Sequence, residues 1–280
     1  MGEDKSCSGD CKSCGQHHES EQDCRLKLGM SKIKNKLVVM SGKGGVGKST
    51  VAVNLAAALA LEGKNVGLLD VDIHGPSVPK MLHLENQRPS SENELLLPVA
   101  VGNLKVMSIG FLLHNPDDAV IWRGPAKIGL IKQLLSDVVW GDLDYLVIDC
   151  PPGTGDEPLS ICQMIPDGQA VLVTTPQQVA ASDVAKSLNF CNQLGYKVLG
   201  IVENMAGFVC PKCGEVTEIF SAGAGEELAA RFNVKLLGRV PIDPAVCRGG
   251  DAGTPFVHSF ADSAAAKAFA AIIAPLLADE

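Results

Sequence analysis

The stretch 41-SGKGGVGKST-50 decides how this chain is read. Gly42-x-x-x-x-Gly47-Lys48-Ser49 has the spacing of a phosphate-binding loop. An apolar run, 37-LVVMS-41, precedes it, and the helix-forming stretch 49–62 follows. That strand–loop–helix context is what the motif requires. Glycines permit positive φ and let backbone N–H groups approach an anion, and the helix start adds a favourable dipole. The expected phosphate cradle is Gly42, Lys43, Gly44, Gly45, Val46, Gly47, Lys48, Ser49 and Thr50. Lys48 reaches the β/γ-phosphates in such loops, and the Ser49 hydroxyl ligates Mg²⁺. One lysine is enough for this task, yet the loop has two, and Lys43 needs its own explanation.

Outward from the loop, short apolar runs recur at 37–41, 66–70, 104–109, 145–149, 170–175, 198–204 and 235–240. The segments 49–62, 126–139, 179–194, 224–232 and 260–278 read as helices between or after them. Strands alternating with helices of this length predict crossover units and a mostly parallel sheet. The expected fold class is α/β, a three-layer α/β/α P-loop NTPase. Ligands in such folds bind beyond the carboxyl ends of the strands. Residues 1–30 show no periodicity and are polar and cysteine-rich, so they read as a flexible arm ahead of an ATPase domain at 31–280.

With 280 residues and 46% apolar content, the chain can bury one sizeable core. A net charge of −8 disfavours nucleic acid as the main partner, and 4% aromatic content is too little for a base-stacking platform. No apolar run reaches the length of a membrane span, and the N-terminus lacks the pattern of a secretory signal. The expected location is the cytoplasm, with neither membrane nor nucleic acid as partner. Ten cysteines in such a chain, six of them in two clusters, point to metal or redox chemistry rather than disulfides.

Asp149 ends the apolar strand YLVID, the place of a carboxylate that helps hold Mg²⁺ beside Ser49. The loop 151-PPGTGD-156 follows it, where a γ-phosphate could order it. Strand 66–70 ends in D-V-D, and of Asp70 and Asp72 the second is favoured to orient an attacking water. Asn204 ends strand 198–204 with an amide suited to an adenine edge. Cys210 and Cys213, in C-P-K-C, supply two thiolates, whereas zinc and [4Fe–4S] sites commonly take four. Either the N-terminal arm completes the set or two copies of the pair meet on a dimer axis. A zinc site and a redox dithiol remain alternatives. Cys7, Cys11, Cys14 and Cys24 are numerous enough for a second cluster or zinc site of their own. Cys150, Cys162, Cys191 and Cys247 sit beside apolar segments and read as small buried hydrophobes.

The K-G-G-V-G-K-S loop with its leading Lys43 resembles the deviant phosphate loop of the MinD/ParA/nitrogenase-iron-protein class. Within that class, five further segments resemble the Mrp/ApbC-type iron–sulfur carrier ATPases: D-x-D-I-H-G-P-S-x-P at 70–79, R-G-P at 123–125, D-x-P-P-G-T-G-D at 149–156, E-N-M-A-G-F-x-C-P-x-C at 203–213 and G-x-G-x-x-L-A at 223–229. The similarity covers about residues 35–280. It implies a homodimer in which Lys43 reaches the nucleotide of the other subunit. It also implies a [4Fe–4S] cluster bridged between subunits by Cys210 and Cys213 and handed to apo-iron–sulfur proteins. Related ATPases flank the base with an asparagine here and a P-x-D segment, matched by Asn204, Pro241 and Asp243; with no N-K-x-D signature, ATP is expected over GTP. The eukaryotic scaffold members have an N-terminal four-cysteine cluster whose spacing differs from that of Cys7, Cys11, Cys14 and Cys24. Two rival readings are an ATP-gated electron donor like the nitrogenase iron protein and a MinD/ParA-like positioning ATPase with a structural zinc. The C-terminal stretch 264–280 makes a poor membrane anchor, which weighs against the latter.

Overall fold

The computed structural model describes residues 20–113, 122–210, 212–220, 222–254 and 263–278. In chain order the elements are α1 (Glu21–Ser31), β1 (Ile33–Ser41), α2 (Lys48–Leu61), β2 (Val66–Asp70) and α3 (Val78–Met81). Short strands β3 (Ser90–Glu92), β4 (Leu95–Leu97) and β5 (Val99–Val101) lead to β6 (Leu104–Ser108) and a 3-10 turn at Ile109–Leu112. There follow α4 (Gly124–Ser136), β7 (Leu143–Asp149), α5 (Asp156–Met164), β8 (Gln169–Thr174) and α6 (Gln178–Leu194). The last part holds β9 (Lys197–Val209), β10 (Val216–Thr217), α7 (Ala224–Phe232), β11 (Leu236–Ile242), α8 (Pro244–Asp251) and α9 (Ala264–Ala278).

The main sheet runs β10-β9-β8-β1-β7-β2-β6-β5, with β11 also paired to β9. All pairings from β6 to β11 through β1 are parallel; β5 and β10 pair antiparallel at the margins. β1 lies between β7 and β8, so the loop that follows it emerges mid-sheet, where the connection order reverses. Strands 37–41, 66–70 and 145–149 are buried throughout, as expected of a sheet covered on both faces. Helix α2 is buried along most of its length because its small residues, Ala52, Ala56 and Ala57 among them, let it lie close to the sheet. At the far end of the core, the Tyr145 hydroxyl donates to the Leu276 carbonyl at 2.7 Å and ties β7 to α9.

Every strand expected from the sequence is present, and β1 and β9 run the furthest beyond their expected bounds. β1 begins at Ile33 because Lys34 and Lys36, polar in sequence, are answered by Asp144 at 2.7 Å and Asp167 at 2.6 Å. β9 continues to Val209 because β10 folds back onto its end.

The reading of residues 1–30 as an arm without regular structure is corrected for residues 21–30, which lie in α1. Ser20 and Asp23 form a reciprocal capping box at its start. Leu26 and Met30 are buried, while Lys132–Asp23 at 2.6 Å and Arg25–Asp137 at 3.2 Å bind the helix to α4 and its end. Two buried residues in a polar helix leave too faint an apolar stripe to be read from periodicity. Cys24 is half-buried on this helix; Cys7, Cys11 and Cys14 lie outside the described residues.

Candidate functional site

The phosphate loop is shaped by two different demands on glycine. Gly45 and Gly47 have φ of +82° and +80°, which a side chain disfavours. Gly42 has no such dihedral; a β-carbon there would overlap the Asp183 backbone of α6 and fall 2.6 Å from the Val184 nitrogen. The loop is thus pressed against α6 on one side. Gly47 sits at the N-cap position of α2, which has no side-chain cap and no acidic residue in its first turn. Its first N–H groups and the helix dipole are therefore directed toward an anion site.

Lys48 lies at the floor of that site. Its ammonium stands 2.6 Å from Asp149 Oδ1, 3.3 Å from Ser49 Oγ and 3.7 Å from Asp72 Oδ2. Burial pulls the lysine down, but the Asp149 carboxylate outweighs it, so the ammonium is held above its ordinary value. Burial pushes the Asp149 carboxyl up against the opposing pull of Lys48. Asp149 Oδ2 is buried with no hydrogen-bond partner among the described residues. An orphaned carboxylate oxygen beside the Ser49 hydroxyl fits a small hard cation.

Asp70 and Asp72 are separated by their surroundings. Asp70 is fully buried at the end of β2; its oxygens accept from Ser108 Oγ at 2.9 Å, the Val78 nitrogen at 3.3 Å and the Asp72 nitrogen at 3.1 Å. Burial, with the charge of Asp149 adding, pushes it up to about 8. Asp70 therefore shapes the turn, whereas the half-buried Asp72 lines the same cavity as Lys43, Gly44, Gly45 and Lys48. Lys43 stands at the rim of this cavity of about 240 Å³, half exposed, with no ion-pair partner among the described residues.

Beside it opens a cavity of about 470 Å³ toward the expected base. Asn204, Pro241 and Asp243, the residues expected to flank a base, line it with Thr50. Asn204 has a second task, since its Nδ2 donates to the Val46 carbonyl of the phosphate loop at 2.9 Å. Asp243 caps α8 by accepting from the Ala245 nitrogen at 2.8 Å. Met205, Phe220 and Cys247 also face this cavity and were not singled out from sequence. Cys247 is a correction: it is exposed rather than buried, 3.7 Å from Asp251 Oδ2. An apolar flank is a poor guide to burial on a short, half-exposed helix. Cys150, Cys162 and Cys191 are buried, which pushes Cys162 up to about 12 and Cys191 to about 11, as expected of inert core thiols.

A further group joined only by the fold is Lys127 of α4. Its ammonium meets His74 Nε2 at 2.8 Å and Glu157 Oε1 at 3.1 Å, linking the turn after β2 to the start of α5.

Cys210 and Cys213 occupy the tip of the β9–β10 hairpin. The turn is closed by Cys210 N–H donating to the Glu215 carbonyl and Gly214 N–H to the Cys210 carbonyl, both at 2.9 Å. Backbone N–H groups of Cys213 and Lys212 face the Cys210 sulfur and hold its thiol below the ordinary value. Cys213 is exposed and Cys210 half-exposed. Among the described residues no third ligand joins them.

Known proteins resemble this chain over most of its length. The model of the ParA family, described as NUBPL iron-transfer P-loop NTPase, matches residues 32–277. The iron-sulfur cluster carrier protein of Methanocaldococcus jannaschii is 51% identical over 90% of this chain and 90% of its own length. The cytosolic Fe-S cluster assembly factor NUBP2 of Bos taurus is 48% identical over 88% of this chain and 93% of its own. Among solved structures, a nucleotide-binding protein from Archaeoglobus fulgidus in complex with ADP aligns with a TM-score of 0.75 and 43% identity, covering 85% of this chain and 93% of that one. The cell division ATPase MinD of Pyrococcus furiosus aligns with a TM-score of 0.65 and 26% identity, over 88% of this chain and 99% of that one. With an α/β core built around the phosphate loop and a family model spanning nearly all described residues, this chain belongs to the ParA family of NUBPL-type iron-transfer P-loop NTPases.

Proposed function

We propose that this protein is an ATP-dependent iron–sulfur cluster carrier that binds a [4Fe–4S] cluster between two copies of itself and passes it to apo-iron–sulfur proteins in the cytosol. The observation that carries the reading is the placement of Cys210 and Cys213 directly beyond the end of the strand that also touches the phosphate loop. β9 bonds Val46 through Asn204 and ends at the thiol pair. A pair of thiols with backbone N–H groups on one sulfur is suited to a metal, and two thiolates are half a ligand set. A two-fold axis through the hairpin completes the set with the fewest new parts. Cargo held by only two sulfurs from each chain leaves by ligand exchange: acceptor thiolates replace those of Cys210 and Cys213 one at a time, with no change of oxidation state.

In this reading residues 42–50 cradle the triphosphate of ATP, with Asn204, Pro241 and Asp243 beside adenine. Ser49 and Asp149 hold Mg²⁺, which when bound neutralises phosphate charge. Asp72 accepts a hydrogen bond from the water that attacks the γ-phosphorus. The bond to the β–γ bridging oxygen breaks, and Lys48 together with Lys43 of the partner subunit balances the charge that develops there. The ATPase domain expected at residues 31–280 takes in α1 from Glu21 as well, and Cys7, Cys11 and Cys14 with Cys24 on that helix form a second cluster site.

The test is anaerobic reconstitution with iron and sulfide, followed by metal and sulfide analysis, visible spectra and transfer to an apo-ferredoxin. Wild type should take up a cluster and donate it, while the Cys210→Ala/Cys213→Ala double variant should lose one cluster per dimer. Uptake of zinc alone, or an unchanged cluster count in the double variant, would refute the reading. A cluster that cycles in redox state but never moves to the acceptor would favour an electron donor instead.

A further inference from the structure

Between Asn204 and Phe208, the pairing of β9 with β11 is interrupted. Val240 of β11 pairs with Asn204 and Ile242 with Phe208, so residues 205–207 stand opposite Pro241 alone. Pro241 has no N–H to offer the ladder, and the extra residues form a bulge. Met205 adopts φ +59° and Gly207 φ +84°. A left-handed methionine is uncommon, because its side chain crowds the backbone there.

Each end of the bulge touches a different part of the site. On one side, a β-carbon on Gly47 would fall 3.7 Å from Met205 Cε, so the methionine lies over the phosphate loop. On the other, a β-carbon on Gly207 would fall 3.4 Å from Val216 Cγ1 of β10. Beyond the bulge, among the described residues, two ladder pairs, Phe208–Thr217 and Val209–Val216, and the two turn bonds at Cys210 hold the hairpin that carries the thiols. The chain then returns through Phe220, which lines the same cavity as Met205. Both stems of the thiol hairpin therefore end at the wall of the base-side cavity. A hairpin paired so briefly takes its orientation from its stems.

We infer that Met205 is a positioning residue: with Phe220 it bears on the nucleotide base and thereby sets where Cys210 and Cys213 stand. The inference rests on the proposed reading that adenine occupies this cavity and that the pair holds the cluster. It adds that the base, and not the phosphates alone, is what the thiol hairpin responds to. A ligand shifts such an equilibrium only through contacts that differ between its states, and Met205 and Phe220 supply those contacts.

The test uses the reduced full-length chain and peptide-resolved alkylation by N-ethylmaleimide. Wild type, Met205→Gly and Phe220→Ala are compared without ligand and with saturating ATP, ADP or tripolyphosphate. Saturation removes any effect of weakened affinity. Cys247 lines the cavity and reports the base directly, since adenine there should shield it and tripolyphosphate should not. In wild type, ATP should change the Cys213 rate by at least about fivefold, the low end of ordinary coupling between sites. Tripolyphosphate should not, and both variants should lose the response although Cys247 is still shielded. Phe220→Ala keeps the test decisive if Met205→Gly folds poorly. A Cys213 response that tripolyphosphate reproduces, that both variants retain, or that wild type lacks while Cys247 is shielded, overturns the inference and leaves the base site standing. If ATP leaves Cys247 unshielded, adenine is not in the cavity, and the base-site reading falls together with the inference.

Discussion

Asp70 and Asp72 are two positions apart and have opposite surroundings. Asp72 is half-buried beside Lys48, 3.7 Å from its ammonium, and lines the cavity on the phosphate side. Asp70 is enclosed by Ser108, Val78 and the backbone of the turn, and burial raises it from 3.8 to about 8. The sign of the stability effect follows. Between these two values the folded chain keeps a proton that the unfolded chain has lost. The contribution of Asp70 is thus present in full below about pH 4 and fades as pH rises through about 8. We expect Asp70→Asn, which cannot ionise, to flatten the decline of stability between about pH 5 and 8. The change should be no more than about 1.4 kcal/mol per pH unit, the weight of one proton. Urea midpoints measured across that range would check it, and an equally steep decline in the variant would exclude Asp70 as the source.

Among the elements, α1 is the one whose stability depends most on its cap. It is polar, and only Leu26 and Met30 reach the core. Its hold on the fold is Ser20 at the start and the pairs from Asp23 and Arg25 to Lys132 and Asp137. Removing an N-cap hydroxyl costs about 1 kcal/mol in ordinary helices. We expect Ser20→Ala to raise hydrogen exchange throughout α1 by about fivefold, as that energy implies, and to leave β1 unchanged. Uniform protection loss in both elements would mean that α1 opens only with the whole domain. Helix α2 contrasts with α1, because its start is left without a side-chain cap and its stability comes from burial along the sheet. The loop ahead of it can then be shaped for an anion rather than for the helix.

For the molecule as a whole, the thiol pair and the leading lysine share one property: among the described residues, the pair has no third metal ligand and the lysine no ionic partner. Lys48 already has Asp149 and Asp72 within ion-pair distance, whereas Lys43 stands at the cavity rim with no ionic partner among the described residues. A second copy bringing Lys43 across a two-fold axis would serve the transition state rather than ground-state binding. Lys43→Ala should therefore lower ATP turnover about 100-fold, the ordinary weight of one transition-state donor, with the loss falling on kcat more than on ATP affinity. Steady-state kinetics with ATP binding measured alongside decides it. Equal losses in turnover and affinity would assign Lys43 to its own chain's site.

The parallel sheet and the phosphate loop could be read from local sequence, because both depend on short-range physics. Buried strands are continuous apolar runs, and the loop needs glycines, a lysine and a serine at set intervals. Asp149 and Cys210 could be placed for the same reason, each standing at or just beyond a strand end, whereas Asn204, read as the end of a strand, lies inside β9. Other features depend on residues distant in sequence. The capping box shows in the letters S-E-Q-D, but α1 holds only through α4. Gly42 is required by the backbone of α6, some 140 positions later in the chain, and by no dihedral of its own. Met205, Phe220 and Cys247 meet at one cavity, where β9 bulges opposite a proline of β11. Local sequence thus determined the fold class, the nucleotide loop and the thiol pair. Tertiary structure alone decided which strand joins the loop to the thiols and what lines the cavity between them, because those contacts arise only when distant segments pack.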